Sequence, residues 1–279
     1  MNIFGSALAS HSGRSIDLPT FLLVQLVISS IQLSGQTANE YADVEGDALN
    51  KSRTFFSGGS GMLPGGRISK RTAAIVTAVL ASIAVVASTS LFLIARGDLL
   101  MISMIAVAFF LAIEYSIGPL KLESSGIGEA AMAVTVGFFS PAVAFIAQGG
   151  SDYGVVSMLM AVTALTTFCV LVTVEYPDYE PDRASGKNNL VVRFGKERSF
   201  WLGICALLIA AALSADSVLS NVPAIVGAVL FAVIIADSIA LVAIRIKLLS
   251  KGKGFGLFTA ASIGLYALAI GLAALFLLL

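Results

Sequence analysis

The stretch NEYADVEGD, residues 39–47, sets Asn39, Asp43 and Asp47 four apart, with Glu40 and Glu45 between them. A second stretch, EYPDYEPDRASGKNN at 175–189, sets Asp178 and Asp182 four apart beside Glu175 and Glu180. Asp43 and Asp178 are 135 residues apart, and so are Asp47 and Asp182. Side chains four apart share a helix face, where like charges repel by about 0.2–0.5 kcal/mol per pair. Two such pairs at one place are unfavourable unless a cation sits between them. Magnesium suits: it is a hard ion, takes carboxylate oxygens, keeps waters and is completed by substrate phosphates. Arg53, Lys121, Arg183, Lys187 and Arg193 lie in the same connections and could bond a phosphate directly, although each can equally serve membrane orientation. SGGSGMLPGG at 57–66 could offer a nest of backbone N–H groups or be a plain surface loop. No GxxxxGK[ST] is present, so it is not a nucleotide P-loop.

The elements around these residues are membrane spans. The chain has 279 residues, 57% of them hydrophobic and 12% charged, against about 25% charged in a soluble domain. Apolar runs near the roughly 20 residues of a span lie at 19–38, 72–95, 99–117, 129–148, 154–174, 199–214, 222–245 and 255–279. They are continuous and not alternating, which argues against a β-barrel. The expected fold is therefore all-α, a single transmembrane bundle of about eight spans over residues 1–279. Fifteen of the seventeen Lys and Arg fall in the connections 39–71, 118–128, 175–198 and 245–254. The positive-inside rule puts those connections in the cytoplasm, both termini outside, and any chemistry at the cytoplasmic face of a multi-pass protein of the cell membrane. A net charge of zero gives no case for nucleic acid. Cys169 and Cys205 sit in separate apolar runs and suggest neither a disulfide nor a metal pair, and His11 is the single histidine. Residues 1–18 lack the basic-then-apolar order of a signal peptide.

In order, the motifs resemble those of the UbiA superfamily of intramembrane prenyltransferases. NEYADVEGD is similar to that family's NxxxDxxxD. PDYEPDRASGKNNLVVRFG is similar to its DxxxD with a Gly-Lys stretch and L-x-V-R-x-G tail. YSIGPLKLESSGIGE is similar to the short segment between them. SGGSGMLPGG and the second tail look most like the branch that prenylates 1,4-dihydroxy-2-naphthoate on the way to menaquinone. The resemblance implies a helical bundle around a central cavity open to the cytoplasm, Mg²⁺, a polyprenyl diphosphate donor and an aromatic acceptor. It implies that Asn39, Asp43, Asp47, Asp178 and Asp182 hold the metal and diphosphate, the aspartates being catalytic. Lys121 then matches the diphosphate-contacting lysine, and Lys187 and Arg53 are further candidates.

Three departures stand out. The family usually has nine helices, so one full span before the NxxxDxxxD helix is expected to be missing here. Glu175 stands where many members have Asn. Pro177 and Pro181 interrupt the second motif, which predicts a short or kinked helix there. Glu114 and Tyr115, at the cytoplasmic end of the third span, are candidates to bind or deprotonate the acceptor. Gln32, Ser34, Gln36 and Thr37 either line the pocket or bond neighbouring helices. Asp237 has no assigned role, and Trp201 reads as an interfacial anchor. Other acceptors remain open: a prenylated glycerol phosphate, 4-hydroxybenzoate, homogentisate or a chlorophyllide. A cation-coupled transporter is the alternative class, but its charged sites usually lie near the midplane.

Overall fold

The computed structural model describes residues 1–49, 59–95, 98–217 and 224–279. Among the described residues, eight helices are long and apolar enough to cross a membrane. They are α2 (Leu18–Ala42), α4 (Lys70–Ile94), α5 (Leu99–Ser116), α8 (Tyr153–Glu175), α10 (Leu190–Ser217), α11 (Ala224–Lys247), α12 (Phe255–Leu278), and a composite fourth span. That fourth span joins α6 (Gly128–Ala133) to α7 (Ser140–Ala147) through a π-helical stretch at Val134–Phe139. Among the described residues there are also three shorter α-helices: α1 (Asn2–His11), α3 (Val44–Leu49) and α9 (Tyr179–Ser185).

Local chemistry sets the helix starts. Asp17, Ser69, Asp98 and Asp152 each accept a backbone N–H from the first turn of α2, α4, α5 and α8. Side chains such as Leu22, Val86, Leu93 and Ile239 face outward from the bundle, as a lipid-facing surface requires. Inside, α2 packs on α4 and α5, α8 on α10 and the π-helical stretch, and α11 on α10 and α12.

Two features depart from the sequence reading. Residues 1–18 offer no apolar run in the sequence, yet α1 buries Phe4, Ala7, Leu8 and Ala9 against α7 and α12. At ten residues, α1 is too short to span. Gly5 is what lets it approach, because a Cβ there would sit 2.1 Å from the Pro141 carbonyl oxygen. The sixth span begins at Leu190 and not at 199, as a stub broken at Gly195, whose φ of 78° and ψ of 157° suit only glycine.

Candidate active site

A cavity of about 710 Å³ runs down the middle of the bundle. Its polar end is built from the helix ends that the long connections join. Its apolar end reaches Val27, Ile28, Ile105, Phe139 and Val143. From Asn39 to Val27 along α2 is about 18 Å at 1.5 Å per residue, over half the hydrocarbon thickness of a bilayer. The π-helical stretch serves this wall, turning Thr135, Val136 and Phe139 inward. Gly137, on its other side, lies so close to α8 that a Cβ would sit 2.4 Å from the Ala164 Cα. The Thr163 hydroxyl donates to the Gly137 carbonyl across that contact.

Asn39, Asp43, Asp47, Asp178, Asp182, Lys187 and Tyr115 all line this one cavity. The first motif straddles a helix end: Asn39 is in the last turn of α2, Asp43 is its C-cap, and Asp47 is in α3. The second straddles a helix start, with Asp178 at the N-cap of α9 and Asp182 in its first turn. Pro181, also in that turn, lacks only an N–H that has no intrahelical partner there. Neither motif is thus a continuous helix face, and the two meet through short helices at the cavity mouth.

The carboxylates are tied by a small polar network. Asn39 Nδ2 donates to Asp43 Oδ2 at 2.5 Å and to Glu123 Oε2 at 2.9 Å. Lys187 Nζ lies 2.5 Å from Asp43 Oδ2 and 3.5 Å from Glu123 Oε2. Ser116 donates to the same Glu123 oxygen at 3.2 Å. Asn189 caps α10 by accepting from the Val192 N–H, and donates to Asp182 Oδ2 at 2.8 Å. Burial raises Glu123 to about 7, with Asp43 adding to the effect and Lys187 opposing it. Burial likewise raises Asp182 to about 6, helped by Asp178 and Asp43 against Lys187. Burial works against the Lys187 charge, but Asp43, Glu123 and Asp182 outweigh it and hold the ammonium protonated.

Other candidates fall elsewhere. Lys121 is exposed and outside the cavity lining. Its φ of 43° starts the turn at Leu122–Ser124, which points Leu122 and Glu123 inward instead. Glu114 is also outside the lining; its Oε2 accepts the Leu120 N–H at 2.9 Å and fastens the turn after α5. Arg53 lies outside the described residues. In the glycine-rich loop, Gly59 and Ser60 reach the cavity, and Glu40 accepts both the N–H and the hydroxyl of Ser60. The N–H groups of Met62, Gly65, Gly66 and Arg67 are bonded within the loop, so that its described part is a set of turns. Gln32 and Gln36 line the cavity, while Ser34 bonds the Ile31 carbonyl and Thr37 receives the Thr77 hydroxyl.

Glu123, Glu175 and Asn189 line the site as well. Glu175 was visible in sequence as a substitution for Asn. Glu123 sits in the same short segment as Lys121, and spacing alone does not say which of them turns in.

The donor set suits a hard divalent cation. Among the described residues no three His, Cys, Asp or Glu side chains stand close enough to hold an ion unaided. Magnesium takes carboxylate and amide oxygens of this kind, keeps waters and shares its shell with substrate phosphates.

A family model described as the UbiA prenyltransferase family matches residues 2–254. Among solved structures, the apo structure of a UbiA homolog from Aeropyrum pernix K1 superposes with a TM-score of 0.69 at 19% identity, over 100% of this chain and 98% of that one. A UbiA homolog from Archaeoglobus fulgidus bound to GPP and Mg²⁺ gives 0.71 at 16% identity, over 99% and 94%. A digeranylgeranylglyceryl phosphate synthase structure gives 0.62 at 20% identity, over 99% and 92%. At such identities the likeness is one of fold. No curated protein matches the chain.

Proposed function

This chain belongs to the UbiA prenyltransferase family, and we propose that it transfers a polyprenyl group from an allylic diphosphate to an aromatic acceptor, 1,4-dihydroxy-2-naphthoate in menaquinone synthesis. One observation carries the reading: two aspartate motifs 135 residues apart in sequence meet at one polar mouth of an otherwise apolar cavity. The structural neighbour holding GPP and Mg²⁺ supports the same ligands here.

Asn39, Asp43, Asp47, Asp178 and Asp182 would hold Mg²⁺. The ion, once bound, supplies Lewis-acid neutralisation of a departing diphosphate. Lys187 would share that work, giving a charge-assisted N–H to a diphosphate oxygen as negative charge builds there. Ile31, Ile105, Val136, Phe139 and Val143 would enclose the allylic tail and exclude water, which would otherwise capture the allylic cation before the ring carbon does. The naphthoate acceptor is supported by the resemblance of SGGSGMLPGG and LVVRFG to that branch. The cytoplasmic placement of the site is supported by the Lys and Arg distribution.

The test uses purified protein in nanodiscs with geranylgeranyl diphosphate, Mg²⁺ and a panel of acceptors led by 1,4-dihydroxy-2-naphthoate. Mass spectrometry follows prenylated product and free diphosphate. Product from one acceptor, abolished by EDTA and in Asp43→Ala/Asp178→Ala, is expected. No product from any acceptor, with donor binding equally absent in wild type and variant, overturns the reading.

A further inference from the structure

The second aspartate motif is carried by an element with little of its own to hold it. The α9 helix is seven residues long and buries none of them. Asn189 bonds Asp182 within it, while Asp178 stands in the turn that leads into it and lines the cavity. The tyrosines on either side of Asp178 grip that turn from outside the cavity. Tyr176 is buried and leans on Phe255 and Phe258 of α12, with ring centroids 6.3 and 5.3 Å apart. Tyr179 packs against Val172 of α8 and against Leu190 and Val191 of α10. A third side chain joins the two. The Lys196 ammonium lies 5.5 Å from the Tyr176 ring centre, 5.1 Å from that of Tyr179 and 5.1 Å from that of Phe255. All three fall within the roughly 6 Å over which a ring face attracts a cation.

Lys196 follows the break at Gly195 and so opens the long part of α10. A helix N-terminus carries partial positive charge and disfavours a cation. The negative ring faces supply the attraction that the helix end does not. We infer that Lys196 is a positioning residue for the second aspartate motif: its ammonium, gripped among rings from the α8–α9 turn, α9 and α12, fixes the turn that presents Asp178 to the metal. This rests on the prenyl-transfer reading and adds to it a residue outside the cavity lining. Lys196 touches neither ion nor diphosphate; it acts through the two tyrosines. Without its charge they keep their apolar contacts alone, and the turn gains freedom to shift. Magnesium demands near-ideal octahedral geometry, so a carboxylate on a loosened turn binds it less well.

The experiment loads the protein, in nanodiscs, with geranylgeranyl thiodiphosphate, an unreactive donor analogue. Mg²⁺ is then titrated calorimetrically, with empty nanodiscs and the analogue as the blank. Lys196→Met keeps the side-chain length and loses the charge. It is expected to weaken Mg²⁺ binding about tenfold, as loss of a support behind a metal ligand does. Lys196→Arg keeps a cation for the rings and should stay within about twofold of wild type. Leu207→Ala, deeper in the buried face of α10, is the stability control. It should lower the melting temperature and leave Mg²⁺ affinity within about twofold. Phe255→Leu removes one ring of the three, from an element far from the motif in sequence, and should weaken Mg²⁺ binding about threefold. This variant decides the matter if Lys196→Met does not fold. Wild-type Mg²⁺ affinity in Lys196→Met or in Phe255→Leu overturns the inference. So does a loss in Lys196→Arg as large as in Lys196→Met, or a loss of that size in Leu207→Ala. Failure of wild type to bind Mg²⁺ with the analogue removes the prenyl-transfer reading, and this inference with it.

Discussion

The Lys187 ammonium would compete for Asp43 with a cation entering the cavity. It lies 2.5 Å from one Asp43 oxygen and 3.5 Å from Glu123. A divalent ion held by Asp43 would free that ammonium toward a diphosphate, with Glu123 keeping it in the cavity. Two opposite effects therefore follow from Lys187→Gln. Donor KM should rise roughly 10- to 100-fold, the loss of a charge-assisted hydrogen bond of about 1.5–3 kcal/mol. Magnesium affinity without donor should rise, because the resident cation is gone. Isothermal titration of each ligand separates them, and a parallel weakening of both would mean that Lys187 merely supports the fold. At this scale the sequence showed the chemistry but not always the direction of a side chain. Asp43, Asp178 and Lys187 could be picked out by type and spacing. Lys121 could not be told from Glu123, because one residue with positive φ decides which of them turns inward.

The spans were legible because each needs only a continuous apolar run, and a bilayer accepts little else. What escaped were elements whose reason lies in tertiary packing. The α1 helix is too short to register as a span and is held by burial against α7 and α12. The stub at Leu190–Phe194 reads as a basic loop until Gly195 breaks the helix and Asn189 caps it. The π-helical stretch has no sequence signature, yet it aims Thr135, Val136 and Phe139 at the cavity. Its dependence on Gly137 is testable. A side chain there meets α8 backbone at 2.4–2.7 Å, which only a shift of a whole helix can relieve. Gly137→Leu should lower the melting temperature sharply, overpacking of this kind costing about 1–3 kcal/mol or more. Gly264→Ala, in α12 with open space around the position, should leave it unchanged or slightly raised. Equal effects of the two would mean that α8 is not seated on the π-helical stretch as described.

For the whole molecule, the cavity mouth couples stability to pH and metal. Burial raises Asp182 to about 6 and Glu123 to about 7, while an unfolded chain titrates both near about 4. Between those limits the folded protein binds more protons than the unfolded chain, so its stability falls as pH rises through the window. A cation that binds only the folded, ionised site works the other way, adding about 2.7 kcal/mol at a hundredfold excess over its Kd. With EDTA the melting temperature should therefore decline from about pH 5 to about pH 8. With Mg²⁺ the decline should be offset, so that the gap between the two curves widens as the carboxylates ionise. Asp43→Asn/Asp182→Asn should flatten the EDTA curve and close the gap. A gap as wide at pH 5 as at pH 8 would place the ion elsewhere. The same protonation that makes the empty bundle tolerable in acid must be given up for the metal to bind. The acidic mouth is thus costly in the bare bundle, and its use depends on the ligand that fills it.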